Sequence, residues 1–92
     1  MNTLIVVDLT PTNKDMLSRY SDLAAATLIP FDGEFIAKGA IESLHGGSEF
    51  KVKVVLQFPD KEKALGWYHS EAYQQIIPTR DQGMHSQFHL IG

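Results

Sequence analysis

Phe58-Pro59-Asp60-Lys61-Glu62-Lys63-Ala64-Leu65-Gly66-Trp67-Tyr68-His69-Ser70-Glu71-Ala72-Tyr73 contains one complete switch from strand to helix. The alternating run Lys51–Phe58 stops at Pro59, which lacks the N–H a strand ladder needs. Asp60 is a helix N-cap type, and its carboxylate can accept from amides of the first turn. The helix that follows turns Ala64, Leu65 and Tyr68 inward and closes on the Trp67-Tyr68 pair. Ser70 caps a short second helix, Glu71 to Ile77, which Pro78 ends, leaving Thr79–Gly83 as a loop.

Upstream of this stretch, Leu4-Ile5-Val6-Val7-Asp8-Leu9 is an unbroken β-branched run. Such a run reads as a central strand. Asp8 falls at its end, within reach of the turn at Thr10 and Thr12. Thr12 is the expected N-cap of the next helix, with Asp15 in the capping-box position. Met16, Tyr20, Leu23, Ala24, Thr27 and Leu28 recur at helical spacing and form one apolar stripe. Pro30 ends that helix, and Asp32-Gly33 makes a turn. Glu34–Ile41 reads as a strand with Phe35, Ala37, Gly39 and Ile41 on one face and Glu34, Ile36, Lys38 and Ala40 on the other. Gly39 marks a bulge or a close backbone approach. In Lys51–Phe58, Val52, Val54, Leu56 and Phe58 share a face. In the last strand, His85–Ile91, Ser86, Phe88 and Leu90 oppose His85, Gln87, His89 and Ile91.

The order is β-α-β-β-α-β, the ferredoxin-like α+β arrangement: an antiparallel four-stranded sheet with two helices on one face. The other face then mixes Ile36, Val55 and Ile91 with Glu34, Lys38, Gln57, His85, Gln87 and His89. A face that is neither a core nor fully solvated fits packing against a second copy by two-fold symmetry.

Ninety-two residues, 43% of them hydrophobic, make one domain with a modest core. Oligomerisation is a common supplement in chains of this size. The chain has no cysteine, so it has no disulfide and no thiolate zinc site. Its net charge is −3 with Lys and Arg scattered, which argues against nucleic acid as a partner. No apolar run approaches the roughly 20 residues that span a bilayer, so no membrane association is expected. Met1-Asn2-Thr3 leads straight into a strand without a basic and then apolar leader, so a cytoplasmic location is expected.

Several segments together resemble a small domain family of unknown function within the dimeric α/β-barrel superfamily. They are Gly33-Glu34-Phe35-Ile36, Lys38-Gly39, Phe58-Pro59, the Trp67-Tyr68-His69-Ser70-Glu71-Ala72-Tyr73 pattern and Arg80. The resemblance covers nearly the whole chain (residues 1–92 as a single dimeric α/β-barrel domain), and the Phe-Pro to Trp-Tyr-x-Ser-x-x-Tyr portion is the most specific. It implies a homodimer whose two sheets face each other around a shared barrel, and it implies no particular reaction. Neighbouring families on the fold include cofactor-free monooxygenases, lactone isomerases and haem enzymes. Where the family has Arg-Gly-Gly this chain has Lys38-Gly39-Ala40. A lysine cannot reproduce the bidentate fork of an arginine.

The candidate ligand-binding residues are Lys38, Trp67, Tyr68, Tyr73, Arg80 and His89. Amphipathic aromatics wall pockets and offer O–H or N–H groups, though they also serve as plain locks between helix and sheet. Arg80 can anchor a ligand carboxylate or pair with Glu71 or Asp81 at the surface. Lys38, Glu34, Gln57, His85 and His89 are grouped on the face away from the helices, where they line a lumen or rim a dimer. His85 and His89 share a face but stand roughly 13 Å apart in an extended strand, too far for one metal. Tyr20 reads as a core or pocket-edge residue. No phosphate loop, Gly-x-Ser-x-Gly elbow or His-Glu-x-x-His is present. The leading expectation is a homodimer that binds or converts a small acidic organic molecule without a cofactor. The alternatives are an accessory dimer domain with no chemistry, and a metal- or haem-dependent oxidoreductase using His85 or His89.

Overall fold

Strand β1 (Thr3–Pro11) runs through the middle of the molecule in a computed structural model that describes residues 2–92. It buries Thr3, Ile5, Val7 and Leu9 on one face and half-buries Leu4, Val6, Asp8 and Thr10 on the other. Strand β3 (Val52–Phe58) and strand β4 (Met84–Ile91) flank it antiparallel, with Val7 opposite Val54 on one side and Phe88 on the other. Strand β2 (Glu34–Ala40) completes the sheet at its edge, in the order β2-β3-β1-β4. This is the expected α+β ferredoxin-like architecture. Asp8 does not end its strand: it lies in mid-β1 opposite Lys53, whose Nζ stands 3.3 Å from its carboxylate.

Helix α1 (Lys14–Leu28) starts one residue later than a Thr12 cap requires. Asn13 is the cap, its Oδ1 accepting from the Met16 amide at 3.1 Å. The amides of Thr12 and Asn13 both donate to the Gly83 carbonyl, which holds Thr12 in the turn. Tyr20, Ala24 and Leu28 face the sheet, while Leu23 stays 39% exposed because the stripe is narrower than its full periodicity. Pro30 does not end the helix abruptly. It sits inside a 3-10 turn, Ile29–Phe31, that leads to Asp32 in the left-handed region at φ 57°.

Helix α2 (Lys61–His69) is capped by Asp60, whose Oδ1 accepts from the Lys63 amide at 2.8 Å. Ala64 and Trp67 are its buried residues, whereas Leu65, expected inside, is 40% exposed. The indole fills the sheet-facing position and leaves Tyr68 on the flank. Helix α3 (Glu71–Gln74) is shorter than expected and is capped by Ser70, whose Oγ accepts from the Tyr73 amide at 3.2 Å. The segment expected to be a loop is a helix, α4 (Ile77–Gly83). Pro78 lies in its first turn, where a missing N–H costs nothing and the fixed φ favours helix. At its end, a methyl group on Gly83 would sit 2.7 Å from the Leu17 backbone nitrogen, so α4 meets α1 at backbone contact.

The sheet holds a surprise in β2. Glu34 pairs with Gln57 and Phe35 with Leu56, but Ala37 pairs with Val55 and Lys38 with Val54. Ile36 is the extra residue of a β-bulge, and beyond it every side chain changes face. Gly39, expected to mark a bulge or a close backbone approach, does neither: it pairs regularly with Lys53, and a methyl group there would meet nothing within 4 Å. Lys38 therefore leaves the face it was expected to share with Glu34 and joins the helix side.

Candidate functional site

Between α1 and the sheet lies a cavity of about 270 Å³. Its inner wall is made by buried Leu9, Tyr20, Ala24, Trp67 and Met84. Phe35 and Lys38, both exposed, border its open side on the edge strand. Phe35 faces there by ordinary alternation, and the bulge at Ile36 turns Lys38 to the same side. Lys38 carries the one formal charge on the lining, and Tyr20, Ser21 and Trp67 carry its polar side-chain atoms. The Trp67 indole is already committed: its Nε1 donates to Thr27 Oγ at 2.9 Å, and that hydroxyl donates to the Ala24 carbonyl at 2.7 Å. Trp67 thus offers the cavity a fixed ring. Its position is set by rings on three sides, with Phe58, Tyr68 and Tyr73 centroids at 5.5, 6.1 and 4.3 Å.

Behind Tyr20 is a chain of polar groups. The hydroxyls of Tyr20 and Tyr73 are 2.8 Å apart. Arg80 Nη1 donates to the Tyr73 hydroxyl at 3.2 Å and to the Tyr68 hydroxyl at 3.1 Å, and its Nε donates to Asp81 at 3.0 Å. The Arg80 guanidinium lies 4.9 Å from the centroid of the Phe88 ring, and its side chain is only 12% exposed. Burial pushes the Tyr20 phenol well above its ordinary pKa, and the neighbouring Tyr73 adds to the rise. Burial also raises Tyr73, although its hydrogen bonds with Tyr20 and Arg80 pull it part of the way back. For Arg80, burial works against the charge, but hydrogen bonds to Tyr68 and Tyr73 outweigh it and hold the guanidinium protonated.

The six residues singled out in the sequence do not form one group. Lys38 and Trp67 line the cavity under α1. Tyr68 and His89 border a separate cleft of about 220 Å³ against β4, with Phe88 shared between the two. Tyr73 is fully buried and Arg80 stands beyond it; neither lines either of these two spaces. Arg80 makes the expected pair with Asp81, but it also reaches inward to two tyrosines. His85 and His89 are exposed on the outer sheet face, and the His85 ring stacks on Phe50 at 5.4 Å. Among the described residues, no three His, Cys, Asp or Glu side chains gather closely enough to hold a metal ion. Sequence reasoning undervalued Tyr20, which belongs to both the cavity wall and the polar chain. The available signal was a tyrosine at an inward position of a stripe otherwise filled by Ala and Leu.

The sequence matches the family described as "Domain of unknown function (DUF1330)" over residues 2–92. The chain belongs to the DUF1330 family. No curated protein matches it. Solved structures do, at low identity. A protein of unknown function from Rhodopseudomonas palustris is similar with a TM-score of 0.80 and 10% identity, over 98% of this chain and 80% of that one. A dimeric ferredoxin-like protein of unknown function from Jannaschia sp. is similar at 0.76 and 14% identity, over 100% and 99% of the two chains. SnoaB, a cofactor-independent oxygenase from Streptomyces nogalater, is similar at 0.72 and 10% identity, over 99% and 91%. These likenesses establish the shared fold. No helix is long and apolar enough to cross a membrane among the described residues.

Proposed function

We propose that this DUF1330 protein is a homodimer that binds or converts a small, largely apolar organic acid in the cavity beneath α1. The observation that carries the reading is the cavity, about 270 Å³ of open space with one cationic side chain at its mouth. Domain interiors are normally packed with few voids larger than a water, and ligand pockets begin near about 300 Å³. An accessory domain without chemistry has no use for such space. Apolar walls remove a ring from water, and the Lys38 ammonium at the rim attracts a carboxylate that stays partly solvated. The reading calls on no cofactor. That SnoaB, on the same fold, is a cofactor-independent oxygenase is compatible with a reaction of this kind here.

The dimer rests on the outer sheet face. Leu4, Val6 and Val55 are half-buried there without a covering helix, and Ile91 is 51% exposed. A face of that character suits an isologous contact. Neighbours from Jannaschia sp. and Thermobifida fusca are described as dimeric ferredoxin-like proteins.

The test is an NMR titration with benzoate and toluene. Both should perturb amides around Tyr20, Ala24 and Phe35. Lys38→Met, which keeps the apolar stem, should weaken benzoate about tenfold, the size of one charge-assisted contact, and leave toluene unchanged. If neither compound binds, the reading is wrong.

A further inference from the structure

We propose that Tyr20 presents its hydroxyl hydrogen to the cavity as the donor for a carbonyl or enolate oxygen of the bound molecule, oriented by a relay from Arg80 through Tyr73. The inference rests on the cavity being a ligand site and adds the feature the ligand must carry. It follows from where protons can go. Tyr73 is 0% exposed, and its oxygen accepts from Arg80 Nη1 at 3.2 Å. With both phenols neutral, one hydrogen lies between the Tyr20 and Tyr73 oxygens, 2.8 Å apart. If Tyr20 supplied it, the Tyr73 hydrogen would be buried with no acceptor, since Tyr20 is the one acceptor within reach among the described residues. An unpaired buried O–H costs about 1–3 kcal/mol. The same cost at Tyr20 is relieved by the cavity that the Tyr20 side chain borders and Tyr73 does not, so Tyr73 donates to Tyr20.

That direction leaves the Tyr20 hydrogen without a protein partner, because the hydroxyl makes no other hydrogen bond among the described residues. Tyr20 lines the cavity, so a ligand oxygen is the natural acceptor. Chains of hydrogen bonds polarise one another. A cation at the head of the chain makes each successive O–H a better donor, so Tyr20 favours an oxygen that gains negative charge over a neutral hydrocarbon. Arg80 and Tyr73 act here as positioning residues. The ligand is then a ring-sized molecule with a carbonyl oxygen at the Tyr20 end and an acidic group toward Lys38.

The experiment compares acetophenone, labelled with carbon-13 at the carbonyl, with isopropylbenzene, a hydrocarbon of similar size with no acceptor. Acetophenone bound to the wild-type protein should show a downfield carbonyl shift. Tyr20→Phe should abolish that shift and weaken acetophenone about tenfold, while isopropylbenzene binds as before. Tyr73→Phe keeps the ring and cuts the relay, so it should move the carbonyl signal partway back even though it touches no ligand. A Tyr73 that only packs would leave the signal in place. If acetophenone and isopropylbenzene bind equally, or the carbonyl shift is the same in wild type and both variants, the relay is wrong and the cavity reading survives. If neither binds the wild-type protein, both fall.

Discussion

Arg80 is the residue on which most of the site's polar order depends. Three of its donor hydrogens are used within the protein, two on tyrosine hydroxyls and one on Asp81. Lysine has its three donors on one nitrogen and cannot span the separate Nε and Nη1 positions that hold Asp81 and the two tyrosines. Arg80→Lys should destabilise the fold by about 1–3 kcal/mol in urea denaturation, and an unchanged midpoint would show that the network carries no energy. The tyrosines give a pH signature. Tyr20 and Tyr73 titrate above their ordinary value in the folded state, so they stay protonated when the unfolded chain has begun to lose its phenolic protons near pH 10. Stability from these groups is complete below about pH 10 and is lost as pH rises beyond it. The expected slope is up to about 1.4 kcal/mol per pH unit for each group, and Tyr20→Phe should flatten it in melts between about pH 9 and pH 11. That Tyr73 and Arg80 are candidates was visible in the sequence. Their contacts with Tyr20 and Tyr68 were not, because the distance between residues 20 and 73 is set by tertiary packing that no local pattern encodes.

At the level of elements, caps and strand ends behaved as local chemistry dictates, and the misreadings have tertiary causes. Asp60 and Ser70 cap the helices expected of them. Asn13 displaces Thr12 because the Gly83 carbonyl captures the amides of both residues. Asn13→Ala should therefore cost about 1 kcal/mol and Thr12→Ala clearly less, as judged by thermal melts; the reverse order would restore Thr12 as the cap. Pro78 reads equally well as a stop or as a first-turn residue, and only packing of α4 on α1 decides between them. Gly83→Ala tests that packing. Its methyl meets backbone rather than a movable side chain, so a loss of about 1–3 kcal/mol is expected, and a neutral result would mean that the two helices are not so closely apposed. The bulge at Ile36 left no trace in composition. It matters more than the other misreadings, since it carries Lys38 from one side of the sheet to the other.

The whole molecule was largely legible. Four strand patterns and two long helical patterns in the order βαββαβ leave few ways to bury the apolar faces. The cavity was not legible, because empty space is a property of how side chains fail to meet. Quaternary structure is tested most simply by light scattering, which should give twice the chain mass, with Val6→Lys on the outer face shifting it to the monomer. A monomeric wild-type protein would remove the two-fold reading. One consequence concerns β2, whose seven residues are all exposed and whose ladder is interrupted at Ile36. Segments with few buried contacts open first and at the lowest free energy. The flank of the cavity is therefore also the strand most prone to transient detachment, so ligand entry requires only fraying of β2, with α1 staying docked. In hydrogen–deuterium exchange, β2 amides should be the fastest of the four strands, and benzoate should slow them selectively.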